Sequence, residues 1–277
     1  MENNTYFIDL QKKEELARLQ IQDNLFNEIF RPLPKLFVPK TDSFILDLAC
    51  GPGGWANMIA QMYGIPTMGI DISEQMIRYA RAQAEARQVS ARFMVANILK
   101  IPWDLPDQQF DLINLRFIAG LVPIAAYENL LEECNRVLQP GGVICNTEAC
   151  FMSSPRAPYN QRLSTITYEA MARAGLIYSK YDMASNPIFA EILKKMGFEE
   201  QELTPYIIDL AADTDIYQPM RDNFKMSSYL LRPFIEQTGV CSLQEYDEIY
   251  EGFCREMSSP DFRAHWFLYS LSARKSS

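Results

Sequence analysis

The sequence lacks closely spaced cysteines. None of its six cysteines forms the Cys-x-x-Cys pair that zinc binding or redox chemistry usually requires. We therefore predict no metal site, and we interpret the cysteines as reduced structural thiols of a cytoplasmic protein. They are Cys50, Cys134, Cys145, Cys150, Cys241 and Cys254.

An excess of positive charge and long hydrophobic runs are missing as well. The net charge is −9, whereas proteins that bind nucleic acid normally present a basic surface to the phosphates. The longest apolar-looking stretch, 117–127, contains Gly120 and Pro123 and falls short of the ~20 residues that span a bilayer. Residues 1–15 have early acids and no apolar signal-peptide core. We expect no nucleic-acid partner, no membrane association and no secretion.

What the sequence does contain is a regular alternation of short apolar and amphipathic segments. It predicts strands at 44–49, 67–70, 92–96, 110–115 and 143–147, the last after a turn at Pro140-Gly141-Gly142. Helices are predicted between them at 54–63, 73–88 and 125–137, and others at 10–31 and from the cap Asn186 to 196. Further strands are predicted at 202–208 and 266–273. This order indicates an α/β fold with helices on both faces of a parallel sheet.

The most informative segment is the glycine-rich loop in residues 44–55, FILDLACGPGGW. A buried strand runs into a glycine-rich turn, and a helix starts immediately after it. Glycines let the backbone approach a ligand closely, and the N–H groups of the helix start suit polar ligand groups. In open α/β sheets, cofactors bind in such a crevice at the carboxyl end of a strand.

The spacing in this loop fits two kinds of cofactor. Gly51, Gly53 and Ala56 satisfy the dinucleotide pattern G-x-G-x-x-G/A, and Asp71 follows Gly51 by the twenty residues expected of a ribose-binding carboxylate. NAD and S-adenosylmethionine both carry a ribose, so the spacing alone does not separate them. Asp47 favours S-adenosylmethionine, because a carboxylate there repels a pyrophosphate but suits a cationic amino-acid tail.

Five segments in this order resemble the class I S-adenosylmethionine-dependent methyltransferases, with the ubiquinone/menaquinone-type small-molecule enzymes as the nearest subgroup. They are LDLACGPGGWA, GIDIS, ANI, FDLINLRF and LQPGGVI. The specific motifs cover about residues 40–150, and a weaker likeness continues through 186–208 and 264–274. The resemblance implies a Rossmann-like seven-stranded sheet whose last strand is antiparallel.

The resemblance also implies a division of the chain. Residues 1–40 would form an N-terminal helical extension that caps the site, and 41–150 the cofactor-binding core. Residues 151–185 would form a lid insertion, and 186–277 the remainder of the core with a second helical insertion at 211–262. The extension and the insertions resemble those of bacterial enzymes that act on natural products.

Roles at matching positions follow from the same resemblance. The implied cofactor-binding residues are Asp47 and the backbone of Ala49, Gly51 and Gly53 for the methionine part, Asp71 for the ribose, Ile72, Met76, Asn97 and Ile98 for the adenine, and Arg116 at the boundary with the substrate. The family more often has Asp at position 97, and an amide oxygen can still accept from the adenine amino group. It usually has Gly at position 49, so we expect the φ angle of Ala49 to be negative.

The predicted N-terminal helix offers two further binding residues. Arg18 and Gln22 are four residues apart and therefore share a helix face. In similar enzymes such a helix closes over the cofactor and its arginine pairs with the methionine carboxylate. Tyr6 could cap the same pocket. The alternative is a solvated helix face, which i,i+4 polar pairs often form.

Two groups are candidates for proton transfer. Methyl transfer from a sulfonium needs a general base only if the acceptor must lose a proton. His265 is the only histidine and starts the last strand, whose antiparallel direction places it near the active-site end. Glu148 ends the fifth strand. We name both as candidate catalytic residues, although a lone histidine is more often structural.

The first insertion follows the fifth strand, so it is placed to cover the cofactor crevice. Its aromatic and methionine side chains suggest an apolar or aromatic acceptor, or else an ordinary lid core. They are Met152, Tyr159, Tyr168, Met171, Tyr178 and Tyr181.

We therefore predict an S-adenosylmethionine-dependent methyltransferase that moves a methyl group by in-line displacement to a small acceptor, quinone-like or a natural product, at O, N or C. Two alternatives remain: a nicotinamide-dependent oxidoreductase, and a member that binds the cofactor but has lost or changed the methyl transfer. The acceptor, the pathway and whether the chain forms a homo-oligomer are not determined by the sequence.

Overall fold

A computed structural model describes the chain from residue 13 to residue 277. Its strands form one seven-stranded sheet in the order β3-β2-β1-β4-β5-β7-β6. The first five strands run parallel, and β7 is antiparallel to both β5 and β6. The strands are β1 Ile45–Leu48, β2 Thr67–Asp71, β3 Ala91–Val95, β4 Phe110–Arg116, β5 Leu138–Ser153, β6 Phe198–Asp209 and β7 His265–Lys275. The predicted Rossmann-like α/β architecture with an antiparallel last strand is confirmed.

The helices of this part of the chain cover the sheet and add a helical layer over its carboxyl edge. They are α1 Lys13–Ile29, α2 Gly54–Tyr63, α3 Glu74–Arg87, α4 Tyr127–Val137, α5 Pro158–Arg173, α6 Asn186–Lys195, α7 Tyr217–Thr238 and α8 Leu243–Glu256. None of the described helices combines the length and the apolar character that crossing a bilayer would need.

Local signals in the sequence explain most element boundaries. The helix α2 begins and ends as predicted, with Gly64 in the left-handed conformation after its last residue. The side chain of Ser73 accepts a hydrogen bond from Met76 N and so caps α3. One predicted cap is wrong: Ser185, not Asn186, precedes α6. The helix α4 begins at Tyr127, after a 3-10 turn at Ile124–Ala126.

The strands β5, β6 and β7 are longer than the sequence predicts. The strand β5 includes the Pro140–Gly142 segment that reads as a turn and runs on to Ser153. Its pairing with β7 extends as far as Ser153 opposite His265, and β7 pairs with β6 as far as Asp209. Long-range antiparallel hydrogen bonds fix these lengths, and no local sequence signal records them.

Within residues 13–277, the hydrophobic core has three parts. Alternate residues of the central strands point to opposite faces of the sheet, so Ile45 packs with α2 and α3 while Leu46 packs with α4 and α6. The third part lies among α1, α5, α7 and α8 and includes Phe26 and Tyr246. The helices α1, α5, α7 and α8 therefore share a core that packs onto the carboxyl ends of the strands.

Candidate functional site

A cavity of about 380 Å³ lies at the carboxyl ends of β1, β2 and β4. Its lining residues between 47 and 122 come from the strand ends, the loops after them and the start of α3, and we call this part the strand-end region. Its lining residues between 149 and 266 come mainly from the ends of β5 and β7 and from α5, α7 and α8, and we call this part the helical region. The helix α1 also lines the cavity, with Arg18, Leu19, Gln22, Asp23 and Phe26.

The loop after β1 turns through three left-handed residues. The φ angles are 53° at Ala49, 53° at Gly51 and 75° at Gly53. The expected negative φ at Ala49 is wrong. Just past the last β1–β2 pair, Leu48 with Ile70, Cys50 N bonds Ile70 O at 2.9 Å. The left-handed Ala49 lies between these two contacts, although left-handed alanine costs about 1–2 kcal/mol. The same turn brings Ala49 and Gly51 to the cavity wall.

Gly53 lies behind the loop and outside the cavity lining. A Cβ added there would lie 2.6 Å from the Cβ of Ala80 and 2.7 Å from the ring of Phe93. This glycine therefore lets α2 pack closely against α3 and β3. Its predicted contact with the methionine part of a cofactor stays a prediction.

Asp47 carries the least satisfied polar group of the strand-end region. One oxygen, Oδ1, accepts from Asn114 Nδ2 at 2.8 Å, while Oδ2 is buried without a hydrogen-bond partner among the described residues. Burial raises the pKa of Asp47 to about 7, against the opposing charge of Arg116. A buried carboxylate oxygen without a donor is costly, so this position fits a ligand that brings a donor or a positive charge.

Asn114 was not singled out from the sequence. It lies directly opposite Asp47 in the pairing of β1 with β4. The signal that could have found it is therefore the strand register, which the order of the two segments along the chain does not give.

Asp71 links the loop to the start of α3. Its Oδ2 accepts from Gly51 N and its Oδ1 from Ser73 N, both at 2.9 Å. Burial raises the pKa of Asp71, and these backbone donors oppose that shift. Each oxygen keeps a second lone pair, and Asp71 lines the cavity, so the carboxylate can still accept from two ligand hydroxyls.

The structure brings the four predicted adenine residues together at the cavity wall: Ile72, Met76, Asn97 and Ile98. Met76 is fully buried. The oxygen of Asn97 already accepts from Leu99 N at 2.9 Å. It keeps one lone pair for a ligand donor, and its amide nitrogen is oriented by this bond.

Arg116 and Asp23 connect α1 to the glycine-rich loop. Arg116 Nη2 donates to Asp23 Oδ1 at 3.2 Å, and Gly54 N donates to Asp23 Oδ2 at 3.0 Å. A Cβ at position 54 would lie 2.5 Å from that oxygen, so glycine allows Asp23 to cap α2. Burial raises the pKa of Asp23, and Arg116 opposes the shift. Asp23 was not predicted from the sequence, although it lies one residue beyond Gln22 on α1.

Arg18 is held by other residues of the protein. Its Nε and Nη2 donate to the two oxygens of Glu15 at 2.8 and 2.7 Å, and its Nη1 donates to Gln22 at 2.6 Å and to Asn223 at 3.0 Å. The shared face of Arg18 and Gln22 is confirmed, and both line the cavity. Pairing of Arg18 with a ligand carboxylate stays a prediction, in competition with Glu15. Tyr6 lies outside the described residues.

Neither candidate base lines the cavity. His265 does lie at the carboxyl end of β5, opposite Ser153, but its side chain is exposed and the next residue, Trp266, faces the cavity instead. Glu148 is buried, and one of its oxygens accepts from Ile118 N, Ala119 N and Asn146 Nδ2 at 2.9–3.2 Å. Its burial raises its pKa to about 7, and these bonds give it a structural role beneath the loop after β4.

The aromatic and methionine residues of the first insertion divide into two groups. Met152, Tyr168 and Met171 line the cavity. The other three are exposed elsewhere on the surface: Tyr159, Tyr178 and Tyr181. Alternation along helix and loop, not residue type, decides which of them face the cavity.

Comparison with known proteins finds similarity in the central part of the chain. The methyltransferase domain family matches residues 45–142. Demethylmenaquinone methyltransferase from Thermus thermophilus is 40% identical over 108 residues, which are 39% of this chain and 47% of that protein. The enzyme of the same name from Geobacillus kaustophilus is 27% identical over 182 residues, 60% of this chain and 75% of that protein. The chain thus spans about half the length of the first of these relatives.

Solved structures share the fold at low sequence identity. A phosphoethanolamine N-methyltransferase 2 from Haemonchus contortus, crystallised with phosphomonomethylethanolamine and S-adenosylhomocysteine, has 19% identity and a TM-score of 0.58 over 98% of this chain and 60% of its own. A [4+2]-cyclase has 19% identity and a TM-score of 0.51 over 94% of this chain and 81% of its own. These two likenesses concern the fold alone.

Proposed function

Residues 45–142 form a methyltransferase domain in the class I, S-adenosylmethionine-dependent architecture, and from that premise we propose that the chain transfers a methyl group from S-adenosylmethionine to a small, uncharged and mainly apolar acceptor. The observation that carries the proposal is the buried, unpartnered oxygen of Asp47 at the cavity wall. An ammonium group placed there satisfies the oxygen and favours the ionised carboxylate.

The residues of the strand-end region would hold the cofactor in consecutive parts. Asp47 would face its amino group, and Asp71 would accept from its ribose hydroxyls through the lone pairs left by Gly51 N and Ser73 N. The apolar side chains of Ile72 and Met76 would cover the adenine. When bound, the sulfonium supplies an activated methyl group for in-line displacement.

The chain's own contribution to the reaction would be positioning and exclusion of water. The ring of Phe26 on α1 stacks on Phe117 with 4.6 Å between centroids, and Trp266 lies within 5.7 Å of Phe26. This aromatic group is where α1 meets the loop after β4 and the start of β7. It would close one side of the cavity and keep water from the reacting atoms.

The helical region indicates the character of the acceptor. Among the described residues that line it, none is charged, and the charged lining residues belong to α1 and the strand-end region. A phosphorylated or anionic acceptor would find no cation there to neutralise its charge. An apolar ring needs no such partner. Because two relatives are named for a quinone, we propose a quinone-like compound or a natural product of similar apolar character.

Two readings from the sequence compete with this proposal. A nicotinamide-dependent oxidoreductase agrees with the glycine spacing but not with the family that matches residues 45–142. A member that binds the cofactor without transferring the methyl group agrees with the lack of a candidate base at the described cavity wall. A cytoplasmic location and the absence of a nucleic-acid partner remain predictions.

One pair of measurements separates the proposed methyltransferase from these two alternatives. We expect S-adenosylhomocysteine to raise the melting temperature of the protein and NAD to leave it unchanged. Incubation of a metabolite extract with cofactor labelled in its methyl group, followed by mass spectrometry, should then yield a labelled apolar product. A shift with NAD alone would contradict the proposal. A shift with S-adenosylhomocysteine but no labelled product in a broad set of extracts would favour the non-methylating member.

A further inference from the structure

Two buried amides lie in the wall of the cavity on different helices. Asn160 belongs to the first turn of α5, and Asn223 lies in α7. Each is only 4% exposed, and both line the cavity. They are the most deeply buried polar side chains of the helical region, and neither is among the residues proposed to hold the cofactor.

The amide of Asn160 is oriented by its protein partners. Its Nδ2 donates to Ser154 Oγ at 2.7 Å and to the sulfur of Met152 at 3.3 Å. A thioether sulfur accepts and never donates, so the nitrogen is the atom on that side. No described residue donates to Oδ1 of Asn160, which leaves this oxygen as an acceptor at the cavity.

The amide of Asn223 is oriented in the opposite sense. Its Oδ1 accepts from Arg18 Nη1 at 3.0 Å. A guanidinium only donates, so the oxygen of Asn223 must be the atom facing Arg18. Its Nδ2 has no acceptor among the described residues and remains as a donor at the cavity.

Both atoms therefore require a partner of a definite kind. A buried amide group without a hydrogen bond is costly, and both asparagines line the cavity. Arg18 on α1 is the charged neighbour of Asn223. The rest of the helical region is uncharged and largely apolar, with Leu163, Met171 and Leu231 among its members. One acceptor and one donor in such a wall define a ligand with an apolar body and two different polar groups.

We propose that the methyl acceptor is a neutral hydroxy-carbonyl compound on an apolar ring framework, whose hydroxyl donates to Asn160 Oδ1 and whose carbonyl oxygen accepts from Asn223 Nδ2. This inference rests on the proposed function and specifies the substrate class of the same cavity. The two asparagines are binding residues that orient the acceptor, and the inference assigns no proton transfer to either.

Three small probes test the two contacts separately. 6-Hydroxy-1-tetralone carries both groups, 1-tetralone lacks the hydroxyl, and 5,6,7,8-tetrahydro-2-naphthol lacks the carbonyl. Each is titrated calorimetrically into the full chain saturated with S-adenosylhomocysteine, so the readout is binding and does not depend on methyl transfer. We expect the hydroxy-ketone to bind about tenfold more tightly than either analogue, because each analogue leaves one amide atom unpaired.

Two variants assign each preference to its residue. Asn223→Asp keeps the oxygen for Arg18 and removes the donor, so it should erase the about tenfold preference over the analogue without a carbonyl. Asn160→Leu should erase the preference over the analogue without a hydroxyl. Exposed changes on the same helices serve as controls: Gln218→Glu on α7 and Thr165→Val on α5. Both should keep the preferences within about twofold.

The outcomes separate this inference from the proposed function. Equal binding of the three probes, no binding of the hydroxy-ketone, or a preference that survives in both asparagine variants would overturn the hydroxy-carbonyl assignment while S-adenosylhomocysteine still binds. Failure of S-adenosylhomocysteine to bind would instead contradict the proposed function. The asparagine variants must keep the melting temperature and S-adenosylhomocysteine affinity of the natural chain. If either falls, Asn160→Ser and Asn223→Ser replace them in the same titrations.

Discussion

The two parts of the cavity differ in what shapes them: backbone conformation in one, helical side chains in the other. The strand-end region takes its form from backbone: three left-handed residues after β1 and backbone donors to Asp71. It also holds the charged groups of the cavity, apart from those of α1. The helical region is made of side chains on α5, α7, α8 and the ends of β5 and β7, and no described lining residue there is charged.

This difference separates two kinds of recognition. The backbone turn and the buried carboxylates of Asp47 and Asp71 fit one ligand with fixed charges and hydroxyls. The shape of this turn changes little when the surrounding side chains change. In a wall formed by helices, replacing a single side chain can change which ligand is bound. The comparison therefore predicts that changes in the strand-end region affect folding and cofactor affinity, whereas changes in the helical region affect the acceptor alone.

The largest effect is expected from Gly53→Ala. The new Cβ would lie 2.6 Å from Ala80 and 2.7 Å from the ring of Phe93, at a φ of 75°. Overpacking and a left-handed alanine together should lower the free energy of unfolding by about 3 kcal/mol. Urea denaturation measures it. Gly64→Ala is the matched control, with a φ of 66° and no atom within 4 Å, and it should cost only about 1 kcal/mol. Equal costs would show that the loop is not fixed by packing.

Asp47→Asn should give the next largest effect, on cofactor affinity. The amide keeps an oxygen for Asn114 but removes the charge that would face the ligand's ammonium group. We expect the dissociation constant of S-adenosylhomocysteine at pH 8 to rise about 30-fold, the equivalent of about 2 kcal/mol. Calorimetry measures the change, and the exposed Asp42→Asn should leave the affinity unaltered. An unchanged affinity in the Asp47 variant would remove the central support of the proposed function.

The buried Glu148 should make the unliganded protein lose stability as the pH rises. Burial raises its pKa from 4.5 to about 7, so between these values the folded chain keeps a proton that the unfolded chain releases. Its contribution is therefore fully present below pH 4.5 and is lost as the pH rises through 7. Relative to the natural chain, Glu148→Gln should gain about 2 kcal/mol between pH 5 and pH 8. Urea denaturation at both pH values measures this, with the exposed Glu251→Gln as control. A constant difference between the chains would argue against the raised pKa.

The smallest effect should come from the helical region. Thr167 lines the cavity from α5, and Thr167→Val replaces its hydroxyl by a methyl group of similar size. We expect the affinity for S-adenosylhomocysteine to stay within about twofold. A loss of tenfold or more in the same calorimetric titration would show that the two regions are not independent.

Particular residues show how much of the site could be predicted from the sequence. Asp47, Asp71 and the adenine residues were predicted from a contiguous motif and its successors, and the structure brings them to one cavity wall. Asp23 and Asn114 were missed, because their roles depend on α1 lying across the loop and on the register of β4 with β1. His265 was placed at the correct end of the sheet, but strand alternation turns its side chain to solvent.

Residues close together along the chain were enough to predict the alternation of strands and helices, the glycine-rich turn and the family of residues 45–142, because each of these depends on neighbours in the sequence. Three features became visible only in the folded chain: the left-handed Ala49, the lengths of β5 and β7, and the neutral wall with its two oppositely oriented amides. Those features depend on hydrogen bonds between residues as many as 205 positions apart. Such contacts leave no local pattern, since their partners are chosen by packing after the separate elements have formed.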